Sequence, residues 1–179
     1  MQIELRERTE KHVRIQYDKI REPEIWAMIP MTDKSLEQAI ADYEKTLQAG
    51  ATSFGQTIYV DGVYVGDIWC YCMDKEETPN AMIGYCIFDK TCWGKGIATE
   101  AVNRFLRIMS QWFDLKSVGA MVYCSNGASR RVLEKCGFEK NNAAYLATEF
   151  CSYFEAKKYY VGIRAEDKAL EYRFNYDII

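Results

Sequence analysis

The chain has 179 residues, of which 49% are hydrophobic and 27% are charged, and its formal net charge is −3. This length and apolar fraction suit one globular domain with a substantial core and leave little room for a second domain. A mildly acidic chain lacks the broad basic surface that nucleic-acid binders use, and no apolar run approaches the about 20 residues of a membrane span. We therefore expect one soluble domain, residues 1–179, that binds neither nucleic acid nor membrane.

The chain carries seven cysteines, an odd number, and no pair of them shows the Cys-x-x-Cys spacing of a zinc site or a redox pair. We expect reduced, mostly buried thiols and no metal. Charged residues alternate with apolar ones over residues 1–8, so we expect no signal peptide and a cytoplasmic protein.

In the first half of the chain, residues 2–8 alternate in polarity and predict an opening strand. A helix is predicted from Asp33, which can cap its first turn, to Ala49, with Gly50 as its stop. The Asp61-Gly62 pair is a strong hairpin signal between two of the strands that follow. An antiparallel meander is therefore predicted from three segments: 54–60, 63–73 and 81–88.

The second half predicts alternating helices and strands. Apolar residues recur at helical spacing over Ile97–Phe113. A second helix is capped by Ser125 or Asn126 and ends at Cys136, before Gly137. Strands are predicted at Ser117–Cys124, from Phe138 onward and at Lys157–Arg164. The order of elements implies an α+β fold, with helices packed on a mixed sheet.

The segment from Trp93 to Ala101 lies between a predicted strand and a predicted helix. Gly94 and Gly96 let the backbone turn tightly and approach a ligand closely. The free N–H groups at the start of the following helix make an anion site, which suits a pyrophosphate. The alternative is a glycine turn that only opens a helix. Neither the Walker loop nor the dinucleotide fingerprint fits, because the third glycine of the fingerprint is replaced by Thr99.

A second segment, Asn126–Phe138, reads Asn-Gly-Ala-Ser at its start and Lys-Cys-Gly-Phe at its end. Together the two segments resemble the GNAT acetyltransferases, and more closely the subgroup that includes the ribosomal-protein N-terminal acetyltransferases. In that subgroup a Gly-x-Gly-x-Ala-Thr-Glu-Ala loop and helix precede an Asn-x-x-Ser helix that ends in Lys-x-Gly-Phe. The resemblance covers roughly residues 81–140. It implies the GNAT fold, with a mostly antiparallel central sheet and helices on both faces.

The resemblance also implies roles for individual residues, with acetyl-CoA as the co-substrate. The strand end around Cys86, Ile87 and Phe88 pairs with the pantetheine arm like an added strand. The N–H of Ile87 or Phe88 stabilises the oxyanion. Asn126 holds the pantetheine, Ser129 assists the leaving thiolate, and Arg130 or Arg131 reaches the adenosine phosphate. The pyrophosphate is held by the backbone of Trp93, Gly94, Lys95, Gly96, Ile97 and Ala98.

Three positions depart from the pattern of the family. Thr91 stands where many members have Arg or Gln, Leu133 replaces the usual tyrosine acid, and Met82 replaces a glutamate base. The remaining candidates for the base are Asp67, Tyr85, Glu149 and Glu155. The last two lie in an aromatic-rich segment that suits either an acceptor pocket for an amine or a packing and dimer contact. His12, the only histidine, is expected at the surface and not in catalysis.

The sequence thus predicts an acetyl-CoA-dependent N-acetyltransferase that uses direct attack by a primary amine, with Ser129, Asn126 and Tyr85 as the catalytic residues. The acceptor is a small-molecule or peptide amine, and a homodimer is compatible with the tyrosine-rich C-terminal third. Met82 and Leu133 favour an alternative, a non-catalytic or regulatory protein that binds acyl-CoA.

Overall fold

A computed structural model of the chain describes residues 1–29, 33–74, 79–146 and 168–176. Within these residues the strands form one seven-stranded sheet with the order β1-β2-β3-β4-β5-β7-β6. The strands are β1 (Ile3–Glu7), β2 (Phe54–Val60), β3 (Val63–Asp74), β4 (Asn80–Ile87), β5 (Ser117–Tyr123), β6 (Glu139–Leu146) and β7 (Lys168–Asn175).

Five α-helices accompany the sheet in the described residues, together with a short 3-10 helix at Lys90–Cys92. They are α1 (Glu10–Lys19), α2 (Pro23–Trp26), α3 (Leu36–Thr46), α4 (Ile97–Trp112) and α5 (Gly127–Lys135). None of the described helices is long and apolar enough to cross a membrane.

The sheet is antiparallel except between β4 and β5. These two parallel strands pair only from Asn80, opposite Ser117, to Ile83, opposite Ala120. Beyond Ile83 the edge of β4 that faces β5 has no strand partner among the described residues, so the sheet opens there. The predicted meander of β2, β3 and β4 is confirmed.

Helices cover both faces of the sheet. Phe105 and Val102 of α4 are fully buried in the main core, which includes Ile83 of β4. On the opposite face, Ile20 and Ile25, at the end of α1 and in α2, pack against Cys86 and Phe88. The predicted α+β fold with helices on both faces is therefore confirmed.

The structure differs from the sequence analysis at three helices in the first half of the chain. Helices α1 and α2 were not predicted, because the few apolar residues of α1 leave only a weak helical stripe. Helix α3 is capped by Ser35 and not by Asp33, since the Ser35 hydroxyl accepts the N–H of Gln38 at 3.2 Å. The Gln38 side chain returns the contact to the N–H of Ser35 at 2.9 Å, which completes a capping box.

The sequence predicts His12 at the surface, and the structure corrects this. It is half-buried, and its Nε2 lies 2.9 Å from the hydroxyl of Tyr59. Burial, followed by the charges of Arg8 and Lys11, lowers the pKa of His12. The ring packs edge-on against Tyr64 and belongs to the contact between α1 and the sheet, outside the cleft described below.

At the C-terminal end, the strand predicted at 157–164 lies outside the described residues. Strand β7, at Lys168–Asn175, was not predicted. It inserts between β5 and β6 and pairs antiparallel with both. Its buried residues include Glu171, which interrupts the apolar pattern by which an inner strand is usually found.

Candidate active site

A cleft of about 1180 Å³ enters the sheet at the opening between β4 and β5. Its walls include the consecutive residues 83–87 of β4 and 120–122 of β5. Because successive side chains of a strand point to opposite faces, a cleft that touches all of them reaches through the sheet. Ten of the predicted site residues line it: Tyr85, Cys86, Ile87, Trp93, Gly94, Gly96, Ile97, Ala98, Asn126 and Ser129.

The glycine loop shapes one end of the cleft. Gly94 and Gly96 have φ values of 74° and 79°, in the left-handed region that favours glycine. Gly96 is the N-cap of α4, so the N–H groups of Ile97 and Ala98 lie in the first turn, where the helix offers them no acceptor. Glycines at these positions leave the first turn of α4 open to an anion.

Two details of the loop differ from the predicted cradle. The backbone N–H of Trp93 donates to the carbonyl of Lys90 at 3.1 Å, so it closes the 3-10 turn and does not point to a ligand. Lys95 is exposed and does not line the cleft. Thr91, where the family often has a longer polar side chain, is bound through its hydroxyl to Asp89 at 2.7 Å.

The edge of β4 carries the backbone groups predicted for the thioester. Phe88 is corrected here, because its N–H donates to the carbonyl of Val65 on β3 at 3.0 Å. Neighbouring residues of an antiparallel strand alternate between its two edges, so Ile87 presents its backbone to the opening. The indole Nε1 of Trp93 donates to the carbonyl of Ile87 at 2.7 Å. This contact joins the glycine loop to the strand edge.

Helix α5 begins at the opposite wall. Asn126 is its N-cap, and its Oδ1 accepts the N–H of Ser129 at 3.0 Å. The Asn126 amide also donates to the carbonyl of Met28 at 3.2 Å, which links α5 to the segment after α2. Asn126 is therefore both a helix cap and a cleft residue, and its contact with pantetheine stays a prediction.

Ser129 faces Tyr85 across the cleft wall. The Ser129 hydroxyl lies 2.7 Å from the hydroxyl of Tyr85, which is also 3.1 Å from the Ser129 carbonyl. Burial raises the pKa of Tyr85, with a smaller opposing effect of the hydrogen bond to Ser129. Tyr85 is consequently a neutral hydrogen-bonding phenol at physiological pH, and not a base.

Leu133 and Met82, which stand where the family often has a tyrosine acid and a glutamate base, are both buried. Leu133 is 1% exposed in the main core, and Met82 is 5% exposed. A Cβ added at Gly119 would lie 2.7 Å from the sulfur of Met82, so Met82 packs directly on that glycine. Neither position offers an acid or a base.

Arg130 and Arg131 point in different directions. Arg130 donates to the hydroxyl of Tyr172 at 3.4 Å and to the carbonyl of Cys124 at 3.2 Å, and it does not line the cleft. The prediction of Arg130 as a cofactor ligand is therefore corrected. Arg131 is exposed and lines the cleft, which leaves it as the candidate contact for a phosphate.

Asp67 does not reach the cleft. It is 1% exposed, and its Oδ2 accepts the hydroxyl of Tyr64 at 2.6 Å. Its Oδ1 lies 3.7 Å from Nε of Arg8, and neither of these two atoms has a hydrogen-bond partner. Burial raises the pKa of Asp67 to about 6, against the opposing effects of Arg8 and the Tyr64 hydrogen bond. The carboxyl belongs to a buried network under α1.

The remaining predicted groups lie outside the described residues or are free thiols. Glu149 and Glu155 lie outside the described residues, as does Cys151. The six described cysteines are free thiols: Cys70, Cys72, Cys86, Cys92, Cys124 and Cys136. In the part of the chain that the structure describes, no group of three His, Cys, Asp or Glu side chains is arranged to hold a metal ion.

Comparison with known proteins places the chain in a family. The profile of the acetyltransferase (GNAT) domain matches residues 2–139. The probable N-acetyltransferase YjcK of Bacillus subtilis is 32% identical over 114 residues, which cover 63% of this chain and 62% of that protein. The chain thus spans less than two thirds of the length of this curated relative.

Two solved structures show the same fold. Mycobacterium smegmatis RimJ, in complex with CoA-disulfide, has a TM-score of 0.79 at 18% identity and covers 99% of this chain and 83% of its own. Vibrio cholerae spermidine N-acetyltransferase, in complex with CoA and spermine, has a TM-score of 0.77 at 15% identity and covers 98% of this chain and 96% of its own. Together with the open sheet and the glycine loop at the start of α4, these likenesses show the GNAT fold. The chain belongs to the GNAT acetyltransferase family.

Proposed function

We propose that the chain, as a single domain over residues 1–179, transfers an acetyl group from acetyl-CoA to a primary amine. The observation that carries this proposal is the opening between β4 and β5, with the first turn of α4 at one end and Ser129 in its wall. The turn offers N–H groups to a pyrophosphate. The strand edge offers backbone groups to the amides of a pantetheine arm.

Direct attack in a ternary complex needs few protein groups. The amine nitrogen forms a bond to the thioester carbon, the carbon–sulfur bond breaks, and the proton of the amine passes to solvent. In the proposed reaction the N–H of Ile87 stabilises the oxyanion, and the Ser129 hydroxyl donates to the departing sulfur. A thiol pKa of about 8.5 makes the thiolate a fair leaving group. Most of the rate gain is then expected from holding the two substrates together.

The amine has to be neutral to attack. An α-amine with a pKa of about 8 is about one tenth neutral at pH 7, whereas a lysine side chain with a pKa of about 10.4 is almost wholly charged. With Met82 and Leu133 at the usual base and acid positions, the described residues offer little help with deprotonation. We therefore propose that acceptors of low pKa are favoured, and that the rate rises with pH up to the pKa of the acceptor.

The test is a product assay with acetyl-CoA and four amines: spermidine, kanamycin, methionine and a hexapeptide with a free N-terminus. Acetylated products are measured by mass spectrometry, because the seven cysteines of the chain interfere with thiol titration. Acetylation of any amine supports the proposal. Calorimetric binding of CoA with no acetylated product favours the regulatory, non-catalytic alternative, and no binding at millimolar CoA overturns both.

A further inference from the structure

Two aromatic side chains of β3 form the wall of the cleft on the face of the sheet that α1 and α2 cover. Trp69 pairs with Gly84, and Tyr71 pairs with Met82. Both aromatic residues line the cleft. A Cβ added at Gly84 would lie 2.6 Å from the indole of Trp69, so the indole rests directly on the backbone of β4. This glycine lets the aromatic wall reach the edge of the opening.

The opposite wall belongs to α5. Tyr85 points to the face of α4 and α5, where its hydroxyl meets Ser129. Trp69 and Tyr71 lie on the other face, because their β4 partners alternate with Tyr85 along the strand. Trp69 and Tyr71 therefore lie on the opposite side of the opening from Ser129.

From this arrangement we propose that Trp69 and Tyr71 receive the acceptor amine, and that the phenol oxygen of Tyr71 accepts one of its N–H groups. The inference rests on the proposed acetyl transfer. It adds the face from which the amine arrives and the residues that it contacts.

The phenol of Tyr71 is suited to this contact. Its side chain is partly exposed and lines the cleft, and its hydroxyl makes no hydrogen bond within the described residues. Burial raises the pKa of Tyr71, which keeps the group a neutral phenol. A neutral oxygen can accept one N–H while the nitrogen lone pair stays directed at the carbonyl carbon. The ring faces of both residues also suit an ammonium group before it loses its proton.

Two buried carboxylates of the sheet, Asp67 and Glu171, are already bound. Asp67 accepts from Tyr64 beneath α1. Glu171 is 4% exposed, accepts from Asn141 at 3.2 Å and pairs with Arg173. Neither of them lines the cleft. Glu7 and Asp42 do line the cleft, and Asp42 pairs with Lys34 and Lys45. On the β3 part of the wall, Tyr71 contributes a hydroxyl.

Tyr71→Phe tests the inference, because it removes one oxygen and keeps the ring. Loss of one neutral hydrogen bond is expected to lower kcat/KM about threefold to tenfold for the best amine of the panel. The KM for acetyl-CoA, the calorimetric Kd for CoA and the melting temperature should stay unchanged. Tyr59→Phe is the matched control, since its hydroxyl bonds His12 outside the cleft, and its kinetics should match the wild type.

Trp69→Phe gives a second measurement that does not depend on the phenol. It keeps an aromatic ring over Gly84 but shortens the wall, so the KM for the amine should rise while the KM for acetyl-CoA stays constant. The inference is overturned if Tyr71→Phe acetylates the amine at the wild-type rate, or if either variant loses CoA affinity in proportion to activity. A wild-type chain that acetylates no amine overturns the proposed function itself, which is a different result.

Discussion

The hydroxyl of Ser129 on α5 and the phenol of Tyr85 on β4 lie 2.7 Å apart and join the two walls of the cleft. Either oxygen can be the donor. When Tyr85 donates to the Ser129 hydroxyl, the serine proton is left for the sulfur of a thioester. When Tyr85 donates to the Ser129 carbonyl, at 3.1 Å, its oxygen accepts from the serine. The serine proton is therefore available to the sulfur only in the first of these two arrangements.

Ser129→Ala should lower kcat by about tenfold to a hundredfold, because a hydrogen bond to a developing anion contributes about 1.5–3 kcal/mol. The KM for acetyl-CoA should change little. Tyr85→Phe should have a smaller effect, since Ser129 keeps its own proton. Steady-state kinetics with the best panel amine provide the measurement. Unchanged kcat in Ser129→Ala would show that the thiolate leaves without help from this pair.

Gly96→Ala tests the glycine loop. A side chain at φ 79° costs about 1–2 kcal/mol in the left-handed region, so the free energy of unfolding should fall by about that amount. CoA affinity should fall as well, because the altered turn displaces the first N–H groups of α4. The matched control is Gly62→Ala in the β2–β3 hairpin, at φ 81° with equally open surroundings. It should lose similar stability and keep the wild-type Kd for CoA.

Features of the site that depend on local backbone preferences could be predicted from the sequence, whereas those that depend on long-range packing could not. The Gly94–Gly96 turn and the Asn126 cap could be predicted because they follow from local backbone preferences. The errors at Phe88 and Arg130 have another origin. The role of Phe88 depends on which edge of the strand is already paired, and this follows from the register with β3. The role of Arg130 depends on which of two adjacent helical residues faces Tyr172 on β7. Neither the register nor the position of β7 could be predicted from the sequence.

Tyr71 illustrates the same limit. Its place in the cleft depends on pairing with Met82 across β3 and β4, and on the opening of the sheet just beyond that pair. The sequence motif that identifies the family lies elsewhere in the chain, in the glycine loop and in α5. The place of Trp69 and Tyr71 in the wall of the cleft could therefore not be predicted from the motif, although the meander that contains them was predicted correctly.

Arg131→Ala should weaken CoA binding, whereas Arg130→Ala should not. Arg131 is exposed and lines the cleft, so a contact with a phosphate is expected to contribute about 0.2–1 kcal/mol and to weaken with added salt. Arg130 bonds Tyr172 and Cys124, and its loss should lower the melting temperature instead. Calorimetry with CoA and dephospho-CoA would check this. Equal loss for both ligands would assign Arg131 to the pyrophosphate, and loss for CoA alone to the 3′-phosphate.

The pH dependence of stability should report the buried Asp67. Its pKa is raised by burial to about 6, compared with about 3.9 for a free aspartate. Between these values the folded state binds the proton and the unfolded state does not. The contribution of Asp67 to the free energy of unfolding therefore falls as the pH rises from about 4 to about 6 and is constant above.

Asp67→Asn removes this titration and keeps an oxygen that can accept the hydroxyl of Tyr64. The free energy of unfolding of the variant, relative to the wild type, should therefore rise between about pH 4 and pH 6 and then level, with a change of at most about 3 kcal/mol. Urea unfolding at several pH values across this range gives the curve. Parallel profiles for the two proteins would mean that Asp67 is already ionised at pH 4 in the folded state, held so by Arg8 at 3.7 Å. In that case the attraction of Arg8 outweighs burial.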